Sequence, residues 1–372
     1  MTKKTRLIIL LICVACFFIV APILVAYSMG YRFDFEKMKV TATGGIYVKT
    51  YPAADQIFID SKISEKPGMF SNSIFVQSLL PNDHTILVKK TGYNDYFKTL
   101  PVQEKQVTKI ENVLLIKKNI QFDVVIDQSQ SPFDSTEKFI IKNGNLYYSD
   151  AAENSGLSNI QKLTPLIKKV ITFSLQSNNI VWLGADGFLY KSDIANLSTP
   201  ATKINLTAIK MAKAGFYKII NNNRDIFIDN NGSLLILNDK TNNLDVFYAS
   251  VKDAKISPDG KNIIYYNDNN IYISPIGGSP IIKNTLYKSS EKINDCVWLN
   301  NNYIIFVAGN KIIISETDYR GNVNATTLPQ SITLSPDQKI DIKSPQIFFS
   351  QSAGKLYILV KDTLLASEKI TP

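Results

Sequence analysis

Residues 254–278 read AKISPDGKNIIYYNDNNIYISPIGG. Ser257-Pro258-Asp259-Gly260-Lys261 is a turn: proline pre-sets φ, aspartate bonds its own backbone, and glycine accepts positive φ. Ile263-Ile-Tyr-Tyr266 is β-branched and aromatic, which suits a strand. Asn267 to Asn270 turns the chain again, and Asn270-Ile-Tyr-Ile273 returns it. The stretch is one strand–turn–strand unit with a second turn in front of it.

The unit recurs. Gly or Asn, any residue, Leu or Ile, then an apolar residue or tyrosine starts at Gly144, Gly187, Gly232, Asn269, Asn310 and Gly354. The intervals are 43, 45, 37, 41 and 44 residues. A period near 42 is that of a four-stranded propeller blade. Each instance follows an apolar strand: Phe139-Ile-Ile141, Ile180-Val-Trp182, Ile226-Phe-Ile228, Ile263 to Tyr266, Ile304 to Val307, and Ile347-Phe-Phe349. Asn143-Gly144, Asp186-Gly187 and Asn231-Gly232 stand between paired strands, where a tight hairpin needs positive φ. Six such units fill residues 121–372, and Gln121 to Ile126 is expected to add an outer strand to the last blade and close the ring. On these residues, the SPDGK turn above all, the segment resembles a TolB-type propeller.

Residues 31–120 carry a different pattern. Ile46-Tyr-Val48, Gln56 to Ile59, Ser73 to Val76 and Thr85 to Val88 are strand-length runs, separated by Pro52, Lys66-Pro-Gly68 and Pro81-Asn-Asp83. A final strand is expected from Lys109 to Ile116, and the even spacing predicts a small β-sandwich. Ile46, Val48, Pro52 and Ala54, then Asp60, then Leu80 through Gly92-Tyr93 resemble a PEGA domain. The departures are Pro52-Ala-Ala-Asp55 at the name-giving tetrapeptide and Asp83 before the histidine. The resemblance implies a surface-exposed module of an envelope protein and brings no catalytic residue. It also makes His84 a structural residue at a turn-to-strand position.

The chain begins with a third kind of pattern. Leu7 to Tyr27 holds no charged residue, and these 21 residues reach roughly 30 Å as a helix, the thickness of a bilayer's hydrocarbon core. Lys3, Lys4 and Arg6 precede the run and place the N-terminus in the cytoplasm by the positive-inside rule. A cleaved signal peptide is the competing reading, with Ala26-Tyr-Ser28 as its site, but the apolar run is longer than such peptides need. Residues 1–30 are thus read as tail and anchor, with the lipid bilayer as partner through residues 7–27.

Composition removes several chemistries. The 372 residues include one histidine and three cysteines. One histidine cannot build a multi-histidine metal site, and two of the cysteines, Cys13 and Cys16, fall in the apolar run. The net charge of +9 is spread out: +3 in residues 1–30, 13 basic against 9 acidic residues in 31–120, and 25 against 23 beyond. With no dense basic stripe, nucleic acid is not expected as a partner. Asp259 is expected to hold its own turn, and Asp225 to Gly232 lacks the alternating oxygen ligands of a calcium loop. Cofactors and catalytic residues are read as none, because no phosphate loop, dinucleotide fingerprint or nucleophile elbow occurs. Most aromatics fall in strand patterns. Tyr93, Tyr96 and Phe97, after Gly92, stand outside them as candidate surface contacts.

The expectation is an all-β, extracytoplasmic, non-catalytic scaffold of the cell envelope that presents a propeller to a protein or wall-polymer partner. Two rivals stay open. One is an envelope hydrolase or lyase, which needs paired carboxylates in the propeller channel. The other is a ligand-sensing propeller coupled to a partner in the membrane.

Overall fold

A computed structural model describes residues 3–63, 66–68, 71–125, 139–148, 164–197, 199–213, 215–222, 225–277, 282–335 and 338–371. Ile126, Asn223 and Gly278, which figured in the sequence reading, lie outside these. The described chain is mostly β-strand, in many small sheets, with one long N-terminal helix. It divides into two compact units. One comprises residues 1–120 with 320–326 and 371–372, the other 121–319 with 327–370.

In the first unit the helix Lys3–Ser28 is long and apolar enough to cross a membrane, and none of its residues is buried by protein. It ends at Gly30, whose φ of +84° is open to glycine without strain. A hairpin follows at once, Tyr31–Asp34 paired antiparallel with Lys39–Ala42. Two sheets make up the rest. Gly44–Tyr51 is central in a three-stranded sheet, antiparallel to Ser73–Leu79 and parallel to Val107–Leu114. Lys62–Ile63, Gln56–Ile59, Asp83–Lys89 and Tyr96–Pro101 form a four-stranded antiparallel sheet. Strand alternation sends Ile46, Val48 and Ile110 from one sheet, and Ile57, Ile59, Ile86 and Val88 from the other, into one core. The last strand starts two residues earlier than the sequence reading placed it, at Val107.

Residues 320–326 belong to this unit through bonds to its strand backbone. Thr99 N donates to Asn322 Oδ1 at 2.7 Å, and Asn322 Nδ2 donates to Phe97 O at 2.8 Å. The fully buried Lys98 donates its ammonium to Asn322 O at 3.1 Å. Gly321 is in contact with the Thr99 carbonyl at a distance that leaves no room for a Cβ.

The second unit is a series of antiparallel meanders in chain order. The first has Phe139–Lys142, Asn145–Tyr148 and Ile167–Lys168. The second has Val170–Gln176, Asn179–Gly184, Leu189–Asp193 and Thr202–Lys203. The third has Tyr217–Asn221, Ile226–Asn230, Ser233–Asn238 and Asn243–Tyr248. The fourth has Asp253–Ile256, Asn262–Tyr266, Asn270–Pro275 and Asn284–Lys288. The fifth contains Ile293–Asn300, Tyr303–Ala308 and Lys311–Glu316. The sixth has Gln346–Ser350, Lys355–Val360 and Thr363–Lys369, and its outer strand is Phe122–Val124, paired with Thr363–Lys369. The first strand of the unit therefore completes its last sheet, as expected.

Successive meanders pack face to face. Val181, Leu183 and Leu189 of the second share a core with Ile219, Ile228 and Leu235 of the third. Phe227, Leu234 and Phe247 of the third do the same with Ile263 and Tyr265 of the fourth. The third sheet is thus covered on both faces, and second strands that are apolar without alternation, such as Tyr303–Ala308, fit the same two-sided burial.

Candidate functional site

The turn that enters the second strand of the fourth meander is held by its own side chains. In the fourth meander Ser257 Oγ donates to Asp259 Oδ1 at 2.7 Å and accepts from Asn262 N at 3.0 Å. Asp259 Oδ1 also accepts from Lys261 N at 3.2 Å. Asp259 thus ties its own turn, as its spacing suggested, and Gly260 at φ +72° completes it.

From the second meander to the sixth, neighbours are also bonded to one another at or beside the turn into the second strand. Gln176 Nε2 of the second donates to Asn222 O of the third. Asn222 Nδ2 donates to Gly260 O of the fourth at 3.1 Å. Asn301 Oδ1 of the fifth accepts from Asp259 N at 3.0 Å, and Gln351 Nε2 of the sixth donates to Trp298 O at 3.0 Å. Short amide side chains suit this task, since one group both donates and accepts. The sequence shows these asparagines only as turn formers; their second role depends on neighbours about 40 residues away.

Between the third and fourth turns lies a cleft of about 770 Å³. It is lined by Asn221, Asn222 and Asp225 of the third meander and by Ile256, Ser257 to Lys261 and Ile276 of the fourth. Asp259 and Lys261 face each other at 3.9 Å. The cleft offers amide, hydroxyl, carboxylate and ammonium groups within one opening, a set that holds a polar ligand by hydrogen bonds.

A ladder of charges runs along the first strands of the same meanders. Lys218 Nζ stands 2.7 Å from Asp253 Oδ1. Lys255 Nζ stands 3.9 Å from Asp253 Oδ2 and 3.1 Å from Asp295 Oδ1. Lys255 thus bridges two carboxylates, each of which is engaged by an ammonium. Asp229 is buried, with Gly232 N donating to it at 2.8 Å. Burial pushes its pKa up despite that bond, and Asp253 adds to the rise. The Asp229-to-Gly232 stretch is a hairpin turn in which the carboxylate serves the backbone. Burial likewise drives the Tyr266 hydroxyl and the Cys296 thiol well above their ordinary values. Among the described residues no three His, Cys, Asp or Glu side chains are grouped to hold a metal ion.

In the first unit His84 is a structural residue. Its Nδ1 is 2.6 Å from Asp60 Oδ2 and its Nε2 is 2.8 Å from Leu80 O. Two acceptors hold one ring, which pins the Pro81 turn to the strand Asp83–Lys89. The candidate trio Tyr93, Tyr96 and Phe97 does not form one surface. Tyr96 is a correction: it is 3% exposed and belongs to the core, because Tyr96–Pro101 is a strand and alternation turns residues 96, 98 and 100 inward. Tyr93 is half-buried against that core, and only Phe97 is exposed.

No known family matches this sequence, and no curated protein does. Solved structures that this chain is similar to include the N-terminal domain of Nup159, at 15% identity and a TM-score of 0.37, covering 67% of this chain and 82% of that one. Another is KlAtg21 in complex with the coiled coil of AgAtg16, at 11% identity and 0.38, covering 78% and 93%. A third is the extracellular domain of BT4673 from B. thetaiotaomicron, at 11% identity and 0.42, covering 77% of this chain and 39% of that one. Similarity at this level says nothing about ligands.

Proposed function

We propose that this chain is a non-catalytic binding protein of the cell envelope. The helix Lys3–Ser28 anchors it, the first unit is a PEGA-like β-sandwich, and the second is a six-bladed, TolB-like propeller that presents a protein or wall-polymer partner with its turn face. The observation that carries this reading is the direct passage from a basic-flanked apolar helix into two all-β units, one with a polar cleft among linked turns. Lys3, Lys4 and Arg6 before the helix favour a cytoplasmic N-terminus and an extracytoplasmic body. The 42-residue period, the face-to-face meanders and the pairing of Phe122–Val124 with the last sheet support the propeller.

The test is protease digestion of intact cells expressing the chain with a tag at each end, followed by pulldown from solubilised membranes. The N-terminal tag is expected to be protected and the body cleaved. A chain recovered intact from the cytoplasm would overturn topology and function together.

A further inference from the structure

The hairpin Tyr31–Ala42 has two unlike faces. Register pairs Arg32 with Thr41 and Asp34 with Lys39 on one, and Phe33 with Val40 on the other. The polar face is bound to the rest of the first unit: Thr41 Oγ1 donates to Glu104 Oε1 at 2.6 Å, and Arg32 Nη2 donates to Ser78 Oγ at 3.2 Å. At the tip, Asp34 Oδ1 accepts from Glu36 N and Lys37 N, and Lys37 Nζ donates to Asn82 Oδ1 at 2.6 Å. The apolar side chains are left bare. Phe35 is 80% and Met38 73% exposed, and Phe33, Val40 and the preceding Met29 are exposed as well. Five large apolar groups within twelve residues are a cost in water unless something covers them.

Their position says what does. Arg32 Nη1 donates to Tyr27 O at 2.7 Å, and its guanidinium lies 3.4 Å from the centre of the Tyr27 ring. Thr43 N and Oγ1 both donate to Gly30 O. The hairpin is therefore fixed to the last turn of the helix with no free linker between. Tyr27 closes the 21-residue apolar run, at the level where interfacial aromatics sit. Lys39 is exposed on the neighbouring face of the same strand, a positive charge beside apolar groups that suits anionic headgroups over acyl chains.

We propose that the hairpin Tyr31–Ala42 is a membrane-interface element, with Phe33, Phe35, Met38 and Val40 set into the outer leaflet beside the helix. It rests on the reading of Lys3–Ser28 as a retained anchor. The hairpin would fix the tilt of the first unit on the bilayer, which a lone helix and a flexible linker could not do.

The test uses the full chain with Cys13→Ala and Cys16→Ala, which leaves the buried Cys296 as its one native thiol. An environment-sensitive fluorophore is attached through Phe35→Cys, Met38→Cys or, as a solvent-exposed control, Asp362→Cys. Each protein is reconstituted into vesicles of phosphatidylcholine and phosphatidylglycerol, with and without lipids spin-labelled near the headgroup. The expected result is blue-shifted emission and several-fold stronger quenching at positions 35 and 38 than at 362. Emission at 35 and 38 matching the control overturns the proposal. A blue shift without quenching also overturns it, and means that protein, such as a second copy, covers the hairpin. Alkaline extraction and N-terminal sequencing of the same preparations report on the anchor separately: a chain lost from the vesicles or lacking its helix refutes the anchor and not the hairpin alone.

Discussion

Replacing His84 with alanine tests the claim that this histidine holds a turn and does no chemistry. The ring is buried and makes two bonds, to Asp60 Oδ2 at 2.6 Å and Leu80 O at 2.8 Å. A charge-assisted bond contributes about 1.5–3 kcal/mol, but the Asp60 side chain is nearly half exposed, so about 1 kcal/mol is a fair share. The Leu80 carbonyl loses its partner at a cost of about 1–2 kcal/mol. The sum, about 2–3 kcal/mol, is a 30- to 150-fold rise in local opening at roughly 1.4 kcal/mol per tenfold. Hydrogen exchange of the full chain in detergent, read on peptides covering Gln56–Ile59 and Asp83–Lys89, measures it directly. Exchange within about twofold of the parent, less than 0.5 kcal/mol, would refute the argument.

Acid should act at the same place. Burial raises the Asp60 pKa, but the bonds from His84, Thr85 N and Thr85 Oγ1 outweigh it and hold the carboxyl below its ordinary value. A depressed folded-state pKa means stability that is present above the unfolded value, near 3.9, and is lost as pH falls through the lower folded one. Protection of these peptides should therefore survive to about pH 4 and then decline. Asp60→Asn should lack that decline, and asparagine tolerates the φ of +51° at this position.

Three further outcomes are expected. Phe227→Ala removes a fully buried ring packed edge-on against Phe247 at 5.3 Å and should cost about 3–5 kcal/mol, seen as early melting of the second unit by calorimetry. Gly187→Ala should cost about 2 kcal/mol or more, because φ is +81° and a Cβ would collide with the Ile209 carbonyl; a midpoint in urea unchanged from the parent would contradict this. Cys296, with its thiol pKa driven up by burial, should resist iodoacetamide in the folded Cys13→Ala, Cys16→Ala chain and react on unfolding, as mass spectrometry would show.

Periodicity and turn chemistry are local properties, and they were legible. The apolar run from Leu7 to Tyr27 needs no neighbour to be a helix, since its interior backbone groups bond one another. The SPDGK turn closes through Asp259 and Gly260, all within five residues. Strand alternation likewise decides which side of a strand a residue lies on, but Tyr96 is the first residue of its strand, so no preceding alternation marks it as inward.

Partnership across the chain was not legible, because it depends on where folding brings distant residues. Nothing in the local sequence pairs Asn322 with Phe97 and Thr99, more than 220 positions away, or assigns residues 320–326 to the first unit. The linked turns from Gln176 to Gln351 use residues that read individually as ordinary loop amides. The same holds for the charge ladder, where Lys255 meets Asp295 only because adjacent meanders stack. The sequence by itself determined the apolar helix, the strand content and the repeating unit. Tertiary structure decided the cleft, the ladder and the bare face of the hairpin, since hydrogen bonds and ion pairs need groups within about 3–4 Å, a distance that only the packed chain sets.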